Sequence, residues 1–276
     1  MCSQVYENWT TLTEGDKLAL EAQWLSHVRH FEELIVEGEE EGAQCALDNM
    51  LVLADFSGSM QGDPMAGAMA ITLLVATLSK GPFAGKFMSF ESNPHWISLE
   101  YPKTREAFNK MMSRQASRNC LGTYGYGSQT NPLGTWDSTR AGGKLTFVEM
   151  CAVCYTSPWG GSTDFLAAHD LILDVCIRHG CEAPKKLVIA SDMQFNDANR
   201  EYGIGTYPTL TSLVGKRNYK PSHGNASYRY SSYTEKSNPW QDHHHILKDA
   251  YLKAGKQMPE MIYWNLRSTN TFVTTA

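Results

Sequence analysis

The chain has 276 residues, 42% of them hydrophobic and 19% charged. That is enough apolar material for one substantial core, so one main α/β domain is expected. The formal net charge of -5 excludes a surface that coats nucleic acid nonspecifically, while leaving room for a local basic patch.

No basic segment followed by an apolar stretch opens the chain, and no run approaches the roughly 20 apolar residues that span a bilayer. The expectation is a soluble, intracellular protein with no membrane partner. The seven cysteines are odd in number and spread along a chain too large to need staples, so they read as reduced thiols.

From about residue 13 to 36, Leu20, Trp24, Val28, Phe31 and Ile35 recur at spacings of three and four, which predicts one buried helical face. The acidic run Glu37-Gly38-Glu39-Glu40-Glu41-Gly42 reads as the connector that ends this helix. Residues 1–46 are thus expected to form a helical segment packed on a domain spanning 47–276.

Residues 50–54 form a short, continuously apolar run, as a central parallel strand covered on both faces requires, and it ends at Asp55. Asp63 and Pro64 suit the N-cap and first position of a helix with Met65, Met69, Leu73 and Leu74 turned inward. Residues 86–91 and 95–99 predict a hairpin whose second strand lies antiparallel at a sheet edge.

Further helices are expected over 104–115, 163–179 and 241–254, the second burying Leu166, Leu173, Cys176 and Ile177 and stopping at Gly180. Buried strands are expected over 186–190, just ahead of Asp192, and over 261–264. Two segments rich in Gly, Ser, Thr and Tyr, about 117–160 and 197–240, read as long insertions. The alternation predicts a doubly wound, mostly parallel sheet with helices on both faces, whose ligands sit beyond the carboxyl ends of the strands. Asp55 and Asp192 both fall there.

Asp55-x-Ser57-x-Ser59 places one carboxylate and two hydroxyls in a tight loop, a donor set suited to Mg²⁺, Mn²⁺ or Ca²⁺. Alone, the loop reads first as a turn capped by Asp or Ser. With Gly161-Ser162-Thr163-Asp164 before a helix and Ser191-Asp192 after a strand, it resembles the metal-ion-dependent adhesion site of von Willebrand factor A domains.

That resemblance implies a Rossmann-like fold in which Ser57, Ser59 and Thr163 supply hydroxyl ligands. Asp55 and Asp192 would act directly or through water. It also implies an open coordination position that accepts a carboxylate from a protein partner.

Gln23-Trp24 with Val28, residues 159–165, residues 191–195 and residues 263–267 are similar to an uncharacterised intracellular family of plants, fungi and giant viruses. The domain of that family is distantly similar to that of the Ro ribonucleoprotein, and a viral source would open a virion location beside the intracellular one. Against this family the chain has Asn196 in place of a common acid. It also ends soon after Arg267, which implies either a missing last strand and helix or a second chain covering the edge near Ile262 to Trp264.

Cys151-x-x-Cys154 has the spacing of half a zinc site, which Cys120 would join, but without a second pair these read as incidental thiols. The run His243-His244-His245 cannot chelate one ion from a helix, because consecutive residues diverge. Within 197–240, Lys and Arg outnumber acids and alternate with tyrosines. Arg200, Lys216, Arg217, Tyr228 and Tyr230 are therefore candidate partner residues, for a protein or alternatively for single-stranded RNA.

Catalysis is not expected. A haloacid-dehalogenase-type phosphatase needs a second aspartate where Ser57 stands. No Gly-x-Ser-x-Gly elbow frames Ser59, since position 61 is Gln61 and position 57 is serine, and no phosphate-cradling glycine loop is present.

Overall fold

The computed structural model describes residues 1–8, 11–40, 47–91, 93–119, 133–156, 164–192, 207–215 and 239–267. Strand β1 (Met50–Ala54) is buried along its whole length. Successive side chains alternate across a sheet, so Leu51 and Leu53 enter one apolar cluster while Met50, Val52 and Ala54 enter another on the opposite face. A continuous apolar run suits this position because neither face meets water.

Parallel to β1 lie β2 (Lys86–Ser89) on one side and β4 (Lys186–Ser191) on the other. Strand β3 (Trp96–Ser98) pairs antiparallel with β2, and β5 (Glu260–Asn265) pairs parallel with β4. The order across this five-stranded, mostly parallel sheet is β3-β2-β1-β4-β5.

One face is covered by α1 (Cys2–Asn8), α2 (Glu14–Glu40), α3 (Asp63–Leu78), α4 (Arg105–Asn119) and α5 (Phe147–Thr156). The other is covered by α6 (Phe165–His179), α7 (Pro208–Val214) and α8 (Pro239–Lys253). Among the described residues, no helix is long and apolar enough to cross a membrane.

Several local expectations change. The acidic run does not end α2 at about Val36; the helix continues through Gly38 to Glu40. Phe31 is exposed on it, and the buried stripe is Leu20, Trp24 and Val28. The cap of α3 is Gly62, at φ 90°, with Asp63 already inside the helix. Ile177 is exposed near the end of α6, and Trp264 is 44% exposed because β5 is the last strand in the sheet order.

The two segments read as insertions contain core helices. Helix α5 buries Phe147, Cys151 and Cys154, and Trp24 of α2 stacks on Phe147 with ring centroids 5.0 Å apart. Its start is a reciprocal cap: the Thr146 N–H donates to Glu149 Oε2 at 2.9 Å and the Glu149 N–H donates to Thr146 Oγ1 at 3.4 Å. Arg140 forks onto the same carboxylate at 2.8 and 2.7 Å. Helix α7 buries Leu210 and Val214, and its first turn donates the Leu210 N–H to Asp170 at 2.7 Å.

Candidate metal centre

Because β1, β2, β4 and β5 run in the same direction, their carboxyl ends share one edge of the sheet. Asp55 leaves β1 there and its N–H donates to the Ala190 carbonyl at 3.0 Å. Its side chain is enclosed. Oδ1 accepts the Ser57 N–H at 2.9 Å, and Oδ2 accepts the Ser191 hydroxyl at 2.7 Å.

The loop is pinned from below by Phe56 and Met60, both buried, the former edge-on to Phe87 at 6.1 Å. Between them Ser57 and Ser59 are half-buried, and their Oγ atoms stand 3.0 Å apart. Two hydroxyls thus meet above a buried carboxylate. Burial pushes the Asp55 carboxyl up from its usual range, the hydrogen bonds from Ser191 and Ser57 pull it back in part, and the nearby Asp192 charge adds to the rise.

Asp192 follows β4, and none of its side chain is exposed. Arg267, just past β5, brings Nε to 3.7 Å from Asp192 Oδ2 and donates from Nη2 to the Ser59 carbonyl at 3.0 Å. Its place is set by backbone: the Leu266 N–H donates to the Ser191 carbonyl at 3.0 Å, and the Arg267 N–H donates to Asn265 Oδ1 at 3.0 Å.

Asp164 reaches the same edge from α6. Its N–H donates to the Glu91 carbonyl at 3.3 Å, beyond the end of β2. Oδ1 caps α6 through the Ala167 N–H at 2.9 Å, and Oδ2 accepts the Tyr207 hydroxyl at 2.7 Å.

Of the five residues expected at a metal, Asp55, Ser57, Ser59 and Asp192 come together at this edge, while Thr163 lies outside the described residues. So do Arg200, Lys216, Arg217, Tyr228, Tyr230 and Cys120. Among the described residues, no group of three or more His, Cys, Asp or Glu is arranged to hold a metal ion. A cation at this edge would therefore rely on the serine hydroxyls, and this all-oxygen set fits a hard ion such as Mg²⁺ or Mn²⁺ and not a soft one.

Cys151 and Cys154 sit inside the helical face with Cys2, where burial pushes the first two thiols well above their usual range. They behave as small apolar groups. Sequence reasoning did not assign the roles of Ser191 and Arg267. Ser191 was legible only as the residue before Asp192, and Arg267 only as the end of a motif.

An uncharacterised protein of Acanthamoeba polyphaga mimivirus is 23% identical over 227 residues, covering 81% of this chain and 26% of that relative's length. No solved structure matches significantly. A family model described as a domain of unknown function, DUF7788, matches residues 49–121 and 137–276. The match takes in most of the chain, which belongs to the DUF7788 family.

Proposed function

We propose that this chain is a metal-dependent interaction domain of the doubly wound, von Willebrand A-like type, which holds a protein partner through a divalent ion bound at Asp55, Ser57, Ser59, Thr163 and Asp192. The observation that carries the reading is the 3.0 Å approach of the Ser57 and Ser59 hydroxyls over the buried Asp55, beside the enclosed Asp192. The enclosed Asp192 charge adds to the rise in the proton affinity of buried Asp55, and repulsion between two neighbouring carboxylates favours a cation at the same edge.

The residues divide the work. Ser57 and Ser59 present oxygens at the half-buried rim. Asp55, with each carboxylate oxygen already accepting a hydrogen bond, orients that rim and supplies negative charge. Such an ion would offer a partner's carboxylate an electrophilic seat. The same engagement of Asp55 argues for binding over catalysis, since neither of its oxygens is poised as a nucleophile.

Calorimetric titration with Mg²⁺ and Mn²⁺ tests this. Ser57→Ala with Ser59→Ala should weaken binding at least about tenfold, a loss of about 1.4 kcal/mol. Unchanged affinity in a folded double variant would refute it.

A further inference from the structure

We infer that Arg267 is a tethered counter-cation of this site, competing with a divalent ion for Asp192, so that its removal tightens metal binding. The inference rests on the metal reading above.

The guanidinium reaches both described segments that carry candidate ligands. Nε lies 3.7 Å from Asp192 Oδ2, within ion-pair range but beyond a hydrogen bond, and Nη2 donates to the carbonyl of Ser59 at 3.0 Å. Asp192 is fully enclosed, so its charge is little screened by water and the nearby cation matters to it. A divalent ion coordinated by Ser59 and Asp192 would add positive charge within a few ångströms of that guanidinium, and like charges at such range oppose one another.

The anchoring of Arg267 makes displacement local. Its backbone is held through Asn265, and Leu266 is held both by the Ser191 carbonyl and by packing: a Cβ placed on Gly67 of α3 would meet Leu266 Cδ2 at 3.3 Å. The side chain itself is 43% exposed. It can therefore leave Asp192 by rotating about its own bonds toward water, with β5 unmoved. A merely structural arginine would instead hold Asp192 and Ser59 in place for the ion, and its loss would weaken binding.

The two roles give opposite signs. Mn²⁺ titration by calorimetry should show Arg267→Gln binding about tenfold more tightly than wild type, with Arg267→Lys, which keeps the charge, within about threefold of wild type. In Mg²⁺ titrations of the wild-type chain, the Arg267 Nε–H resonance should shift with the same midpoint as binding; this measurement does not depend on any variant folding. Equal or weaker binding by Arg267→Gln, or an Arg267 resonance that ignores Mg²⁺ while binding proceeds, overturns the inference and leaves the metal reading standing. Absence of Mn²⁺ binding by wild type and variants alike overturns both.

Discussion

The hydroxyl of Ser191 donates to Asp55 Oδ2 at 2.7 Å, joining the end of β4 to the end of β1. Both residues are buried, so no water can replace the donor once it is lost. Ser191→Ala should cost about 1–3 kcal/mol, the range for stranding a buried acceptor. Urea unfolding measures it; a loss well under that range would mean that Ser191 does not hold Asp55.

His169 supplies a pH dependence. It is fully buried on α6, its Nδ1 is 3.0 Å from the Tyr251 hydroxyl, and burial followed by the nearby His244 lowers it from 6.5 to about 3. It is neutral when folded, whereas the unfolded chain takes up the proton below about pH 6.5. Its contribution is thus complete above pH 6.5 and declines as pH falls toward the folded value, by about 1.4 kcal/mol per pH unit. Between pH 6.5 and 5 that is about 2 kcal/mol. His169→Leu should lose this slope in urea titrations at several pH values; an unchanged slope would exclude His169 as its source.

Helix α2 should depend on one aromatic pair. Trp24 stacks on Phe147, and Glu21 from the same helix accepts the Phe147 N–H, so α2 and the first turn of α5 are fastened together. Trp24→Ala should cost about 3–5 kcal/mol and open both helices to hydrogen exchange first. Protection lost uniformly across the sheet instead would show that these helices are not a separate unit.

Glu149 both caps α5 and receives the Arg140 fork. Burial raises its carboxyl, but the Arg140 and Thr146 hydrogen bonds outweigh that and lower it overall. The stability it supplies is present at neutral pH and lost as pH falls through that lowered value. Glu149→Ala should cost about 1.5–3 kcal/mol at pH 7, by thermal or urea unfolding, and progressively less as pH falls below the usual carboxylate range.

The central strands were legible because their covered positions demand an unbroken apolar run, which Met50–Ala54 supplies at strand length. The hairpin of β2 and β3 at the far edge was legible from the turn between its strands. Helix α5 was not, although Thr146 and Glu149 have capping-box spacing, because the Gly- and Tyr-rich stretch before it suggested one long loop.

Tyr207 was counted with the tyrosines of a partner loop, yet it is buried and donates to Asp164 across two helix starts. Composition cannot separate a packed tyrosine from a displayed one. The hydroxyl-carboxylate loop at Asp55, Ser57 and Ser59 was legible as a motif. The Arg267 contact, spanning 208 positions to Ser59, was not, since no local pattern reports it.

Diffraction from crystals grown with Mn²⁺ tests the metal centre at Asp55, Ser57 and Ser59 without reliance on any variant. An anomalous peak is expected within coordinating distance of the Ser57 and Ser59 hydroxyls, with Thr163 and Asp192 in its direct or water-mediated shell. A well-ordered edge with no peak there, at Mn²⁺ concentrations that saturate binding in solution, would contradict it.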